Sequence, residues 1–377
     1  MGCDRFSGYS CRNHLNLLLI TIYQSQDPDL EEMLVSKTEP LNQTNAVSLP
    51  DTLLQMITGM LVSRAIYVAA KLGIADLLKD GAKSSEEMAK STQVDAQSLY
   101  RVLRALASVG IFAEVENRHF GLTPLAEYLK SDVPGSMQAT AIMLGEDWHW
   151  QLWGNILYSV KTGKPAFEYI FGMPIFQYLG QNPEAAKVFD ACMTSLSIKD
   201  SAEIALGYNF SSIETLVDVG GGHGSLLAAI LKANPNLKGI LHDLPQVVAG
   251  AIQLDELHGR CQVVAGDFFE SVPSGGDTYM MKYIIHDWDD ERAITILKNC
   301  HRAMPETGKL LVLERLISPG NEPSAANFGD IAMLLMTNGG RERTEAEFQE
   351  LFASAGFKLT HITPTQCPLY IIEGVKA

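Results

Sequence analysis

The stretch Leu216–Ser225, LVDVGGGHGS, constrains this 377-residue chain more than any other. An apolar run that ends in four glycines, followed by the helical pattern Leu226–Ala233, predicts a strand, a tight turn and a helix. Glycine lets the backbone turn sharply there and approach a ligand with no Cβ in the way. The free N–H groups of the following helix point at the same place. Such turns bind nucleotides or nucleotide-like cofactors. A dinucleotide fingerprint GxGxxG would need its third glycine at Ser225; the glycines at 220, 222 and 224 make GxGxG instead.

From Ile213 onward the chain alternates strand and helix. The expected strands are Thr215–Val219, Lys238–His242, Cys261–Ala265, Thr278–Ile284, Lys309–Glu314, Lys358–Thr363 and Leu369–Glu373. That rhythm predicts an α/β fold with a mostly parallel sheet and helices on both faces. The last two strands share only the short connection ITPTQCP and are expected to pair antiparallel. Asp243 ends the second strand, where an acid accepts hydrogen bonds from ribose hydroxyls, and a helix cap is the plainer alternative. Asp267, in AGDFF, ends the third, with Phe268 beside it to pack on a base; a simple turn or cap would also explain that acid.

Upstream, a helical pattern runs from Leu53 to a stop at Gly73. A short helix follows at Ser84–Ser91, then a longer one capped by Asp95 and closed at Gly110. A hairpin turning near Glu116–Arg118 and a helix opened by Pro124 complete a winged-helix arrangement. Its presumed recognition helix offers only Arg101 and Arg104, and the chain carries a net charge of −15. Both argue against nucleic acid as a partner. Residues 136–200 are rich in methionine and aromatic residues, read mainly as helical core with a few side chains left for a flat apolar ligand. Six cysteines without CxxC spacing fit a reduced, cytoplasmic setting. No stretch is read as long enough to span a membrane, and residues 1–50 read as a disordered extension.

The segments LVDVGGGHGSLLAAILKANPNLKGILHDLPQVV, GDFFESVP, MKYIIHDWDDERAITILKNCHRAMPETGKLLVLER and GGRERTEAEFQELFASAGF together resemble one family. It is the class of S-adenosylmethionine-dependent O-methyltransferases that includes plant caffeate and flavonoid enzymes, acetylserotonin methyltransferase and bacterial tailoring enzymes. The resemblance covers Leu53 to the end. It implies an all-helical winged-helix dimerisation domain over residues 51–135, a helical substrate-pocket region over 136–200 and a Rossmann-like S-adenosylmethionine domain over 201–377. It also implies a homodimer. The match puts Gly220 at the cofactor's methionine end, Asp243 at the ribose, Asp267 and Phe268 at the adenine, and Lys282 near the cofactor. Met193 and Met333 match methionines that sandwich an aromatic acceptor, and Asp287 matches a residue near the cofactor or substrate.

His286 follows the fourth strand in YIIHDW, beside the expected crevice, and is the candidate general base. Glu314 and Glu342 match the two family acids that flank that histidine; Glu342 could instead pair with Arg341 or Arg343 on the surface. The acids of HDWDDE also invite a metal reading, but Asp289, Asp290 and Glu291 are expected to serve the start of a helix, and no metal is expected. A ligand-responsive winged-helix regulator with a vestigial cofactor fold is the rival reading. Methylation of N or C on the same scaffold is another.

Overall fold

The computed structural model describes residues 48–251, 257 and 259–377. The expected extension and its apolar run Leu15–Tyr23 therefore lie outside the described residues, apart from its last positions. Contacts divide the chain into two compact units, one ending at Val133 and the other running Pro134–Ala377.

In the first unit, α1 (Leu49–Lys71) is capped by the Ser48 hydroxyl, which accepts from the Asp51 N–H, and has Pro50 in its first turn. After α2 (Ile74–Leu77) and the two-residue β1 (Lys83–Ser84), α3 (Ser85–Thr92) starts with a capping box between Ser84 and Glu87. Helix α4 (Ala96–Ser108), capped by Asp95, buries the stripe Leu99, Leu103 and Leu106. The hairpin β2 (Phe112–Glu116) and β3 (His119–Leu122) turns through Asn117 and Arg118, both at positive φ, and Pro124 opens α5 (Pro124–Glu127). The unit is mostly helix, with β1 pairing antiparallel to β3 to make a small three-stranded sheet.

Helix α1 corrects one expectation. At 23 residues it is, among the described residues, the one helix long and apolar enough to cross a membrane. Leu53, Leu54, Ile57, Met60 and Leu61 are all more than half exposed. A core helix of a soluble protein, or a signal sequence, passes the same length and composition test.

The second unit opens with short helices, α6 (Gln138–Gly145), α7 (Asp147–Gly154), α8 (Ile156–Thr162), α9 (Ala166–Phe171) and α10 (Ile175–Gln181). The 25-residue α11 (Pro183–Gly207) follows and runs across the boundary expected at 200/201. The core of this region includes Trp148, Leu152, Phe167 and Cys192.

Then come β4 (Thr215–Val219), α12 (Ser225–Ala233), β5 (Lys238–Asp243), α13 (Pro245–Val248), β6 (Cys261–Ala265) and β7 (Thr278–Lys282). After a one-turn 3₁₀ segment, Ile285–Asp287, the chain continues with α14 (Asp290–Ala303), β8 (Lys309–Glu314), α15 (Ala325–Met336), α16 (Glu345–Ser354), β9 (Phe357–Pro364) and β10 (Tyr370–Lys376). The seven-stranded sheet has the order β6-β5-β4-β7-β8-β10-β9. Strands β4 to β8 pair in parallel, and β10 runs antiparallel to both β8 and β9.

Alternation along the strands sorts the core onto two faces. Val217 and Val219 of β4 pack with Tyr279, Leu310 and Phe348 on one face, while Leu216 packs with Leu227, Ile230 and Leu311 on the other. The strand order reverses between β4 and β7, which opens a crevice at the carboxyl ends of the strands.

Candidate active site

The glycine turn sits at that crevice. Gly220, Gly222 and Gly224 all have positive φ, and the Gly220 N–H donates to the His242 carbonyl at 2.8 Å. A Cβ on Gly220 would lie 2.4 Å from Ile284 Cδ1 and 3.5 Å from the Phe268 ring. Nothing lies within 4 Å of where a Gly222 Cβ would stand, so the turn faces open space there. Asp243 is tied to the turn: one carboxylate oxygen accepts from the Gly222 N–H at 2.8 Å and the other from the Leu244 N–H at 2.7 Å. Each oxygen keeps a lone pair for a ribose hydroxyl. Burial pushes the Asp243 carboxyl up, and the two N–H donors oppose that.

Asp267 Oδ1 accepts from the Phe269 N–H at 2.8 Å, which fixes the bend that carries Phe268. The Phe268 ring stands edge-on to Trp288, with centroids 6.3 Å apart, and Trp288 stacks on Phe176 at 5.7 Å. A small cavity lined by Phe176, Trp288, Met336, Asp287, Thr337 and Asn338 adjoins this row of rings. Met193 and Met333 are not among its lining. Met193 packs on the helical core, and Met333 is buried on α15, where its carbonyl accepts from the Thr337 hydroxyl at 2.9 Å. Lys282 ends β7 with its Nζ 5.1 Å from the Tyr283 ring centre. Burial pushes its ammonium down, while Asp200 and Asp218 pull it up.

His286 rides on the 3₁₀ turn after β7. Glu314 Oε1 accepts from three successive N–H groups, those of Ile284 at 3.0 Å, Ile285 at 2.9 Å and His286 at 3.3 Å. A fully buried carboxylate thus holds the turn by its backbone, and its other oxygen lies 3.6 Å from His286 Nδ1. Glu342 Oε1 lies 3.2 Å from the same nitrogen. Both acids therefore converge on Nδ1, which leaves Nε2 without a hydrogen bond among the described residues; Asp287 Oδ1 stands 3.7 Å from it. Nδ1 between two carboxylates carries the hydrogen, so Nε2 is the basic atom.

Burial pushes His286 down, but Glu314, Asp287 and Glu342 together outweigh it and raise the imidazole to about 9. The same burial pushes Glu314 up to about 7 and Asp287 up to about 6.

Glu342 does not pair on the surface with its arginine neighbours. It is buried, and its N–H donates to Asp330 Oδ1 at 3.0 Å. Arg341 bonds Asp290 at 3.0 Å instead. Arg343, fully buried, donates to Asp290 Oδ1 and to the carbonyls of Ile285 (3.0 Å) and Trp288 (2.8 Å), and so clamps the turn that carries His286. Of the acids in HDWDDE, Asp289 caps α14, accepting from the Arg292 N–H at 2.9 Å, while Asp290 serves these two arginines.

The sequence reading missed several of these roles. Arg343 stands in RERT with nothing to mark it as buried. Asn299 Nδ2 donates to the carbonyls of Phe268 (2.7 Å) and Phe269 (2.9 Å), again without a sequence signal. Asp218 did carry one, an acid inside an apolar strand. It is buried with Oδ2 unpartnered, and burial pushes it up to about 7.

Two family descriptions match this chain: an O-methyltransferase dimerisation domain over residues 54–132 and an O-methyltransferase domain over residues 153–358. The phenazine O-methyltransferase PhzM of Lysobacter antibioticus is 46% identical, over 88% of this chain and 98% of its own length. The crystal structure of LaPhzM matches with a TM-score of 0.85 at 45% identity, covering 88% of this chain and all of that one. NcsB1 from neocarzinostatin biosynthesis, solved with S-adenosylmethionine and 2-hydroxy-5-methyl naphthoic acid, matches with a TM-score of 0.74 at 31% identity, over 89% of this chain and 100% of its own.

Proposed function

This chain belongs to the O-methyltransferase family and is an S-adenosylmethionine-dependent O-methyltransferase; from that premise we propose that it methylates a hydroxyl on a small fused-ring aromatic metabolite, with His286 as general base and no metal ion. The observation that carries the proposal is the division of labour on His286, with Nδ1 engaged by acids and Nε2 left to a substrate. The row of rings Phe268, Trp288 and Phe176 beside Asp287 supports a flat aromatic acceptor.

The glycine turn, Asp243, Asp267 and Phe268 are the residues we assign to the cofactor, and the room beside Gly222 fits that role. When bound, S-adenosylmethionine supplies a methyl group already activated on a sulfonium. What remains for the protein is alignment and proton removal. His286 Nε2 takes the proton from the acceptor hydroxyl, and the imidazolium so formed is stabilised by Glu342 and Glu314 across Nδ1–H. Asp287, at the cavity wall, orients the acceptor. His286, Glu314 and Glu342 lie close enough to suggest a metal cluster, but Glu342 Oε1 pairs with His286 Nδ1 and Glu314 Oε1 accepts from the N–H groups of the turn, and we read them as an acid–base set.

Radiolabelled methyl transfer onto a panel of phenols, hydroxynaphthoates, hydroxyphenazines and hydroxylated polyenes, with a chelator present throughout, tests this reading. Product on a fused-ring phenol is expected. Transfer only to nitrogen, or activity that returns only with added magnesium, would defeat it.

The dimerisation-domain match and the exposed apolar side of α1 support a homodimer, which we place in the cytoplasm. Sedimentation is expected to give twice the 41.3 kDa chain mass. A monomer at micromolar concentration would remove the homodimer from the proposal.

A further inference from the structure

Glu342 Oε1 has two partners. His286 Nδ1 lies 3.2 Å away and Arg315 Nη1 3.4 Å away. The Arg315 guanidinium also lies 5.0 Å from the centre of the Tyr283 ring, and that ring stacks on the His286 imidazole at 5.3 Å and 25°. Tyr283 holds this place with φ at 56°, a left-handed conformation that a bulky residue adopts only under constraint. Gly329 of α15 makes room for the pair: a Cβ there would stand 2.9 Å from Arg315 Nη1 and 3.0 Å from Glu342 Oε1. Arg315 thus reaches His286 twice, through the carboxylate on Nδ1 and through the ring stacked on its face.

We infer that Arg315 is a positioning residue for methyl transfer, holding Glu342 against His286 and setting how tightly His286 keeps its proton. This rests on the reading of His286 as the base. Among the described residues, the charged groups facing the imidazole are the acids Glu314 at the end of β8, Asp287 on the same turn and Glu342 ahead of α16, with Arg315 on Glu342; Arg343 on the carbonyls of the turn and Lys282 beside Glu314 are cations further round. Arg315 is the cation that shares Glu342 Oε1 with Nδ1, and it opposes proton retention. Like charges disfavour each other at this range, and the effect is large where water is excluded. Without the guanidinium, His286 keeps its proton to higher pH and the base is available less often.

The test is an NMR titration of the full-length enzyme labelled at histidine Cε1, with the His286 signal assigned by its loss in His286→Ala. In Arg315→Met the His286 midpoint is expected to rise by about one pH unit, which is about tenfold less free base at pH 7.5. Arg315→Lys keeps the charge and is expected to hold the midpoint within about 0.3 units. Turnover of Arg315→Met on the acceptor found by the panel should fall about tenfold at pH 7.5 and recover as pH rises. An unmoved or lowered midpoint in Arg315→Met overturns the inference. A turnover loss equal at every pH overturns it too, because that is the mark of a merely structural role. Should the Met variant not fold, Arg315→Gln, which also loses the charge, is read by the same criteria. The titration needs no acceptor, so its result stands apart from that of the panel; full activity in His286→Ala would instead defeat the base assignment itself.

Discussion

His286→Ala is expected to lower kcat by about 10³-fold while leaving the affinity for S-adenosylhomocysteine within about twofold of wild type. In the proposed mechanism the imidazole is the base, and none of the acids around it among the described residues can take its place. Asp287 is the nearest acid to Nε2, but its carboxyl, pushed up to about 6, holds a proton less tightly than an imidazole raised to about 9. Gly220, Asp243 and Asp267, the residues we assign to the cofactor, stand on other strand ends, so binding should survive. Calorimetry and initial rates separate the two effects. Most of the activity retained would remove His286 from the chemistry.

The sign of the pH dependence follows from the same geometry. Burial alone would favour neutral imidazole, but the three facing carboxylates stabilise the cation and win. A base must be unprotonated to act. In the wild type kcat/KM should therefore climb about tenfold per pH unit on the acid side and level near pH 9. His286→Ala should lose that limb. A limb near the ordinary imidazole value would mean that the carboxylates do not act on Nδ1 as their distances imply.

Strands β4, β6 and β8 were legible residue for residue: β4 and β8 are buried parallel strands, which read as short apolar runs between turn signals, and β6 carries a similar run although it lies half-exposed at the sheet edge. The fourth strand was not. Its apolar pattern runs on to Ile284, yet β7 stops at Lys282. Tyr283 turns left-handed, and Glu314, 30 residues downstream of Ile284, takes the next three N–H groups. No local preference encodes a carboxylate that arrives from the neighbouring strand. The same holds for Arg343: its sequence neighbours suggest a solvated charge run, and only the fold brings two carbonyls and Asp290 to it. The resemblance named Glu342 but could not say that Asp330 and Arg315 hold it. For Met193 and Met333 the resemblance pointed to the acceptor; Met193 is partly buried against the helical core and Met333 is buried on α15, and neither position is marked by a local signal. Helix α1 was misjudged for another reason. Gly59, Ser63 and Arg64 interrupt its apolar run, yet the average over the helix stays high.

Gly340→Ala is expected to cut kcat by about 10²-fold although it adds one methyl group outside the acid–base set. The added Cβ would lie 2.2 Å from Thr337 Oγ1, 2.6 Å from the His286 carbonyl oxygen and 2.8 Å from the Asp287 carbonyl carbon. The hydroxyl can rotate away, but the other two atoms are backbone. That backbone is pinned on both sides, by Glu314 at the His286 N–H and by Arg343 at the carbonyls of Ile285 and Trp288. Either the turn moves and takes the imidazole with it, or the segment before α16 retreats and draws Glu342 off Nδ1. Stability should fall by about 1–3 kcal/mol, the usual cost of overpacking, so the variant should still fold. Affinity for S-adenosylhomocysteine should hold within about threefold, since the glycine turn and Asp243 lie on strands this methyl does not reach. Gly180→Ala is the control, for nothing lies within 4 Å of its Cβ position, and it should turn over as wild type does. Wild-type kcat in Gly340→Ala would show that the turn yields without disturbing His286, and that its three-point anchoring is weaker than these contacts imply.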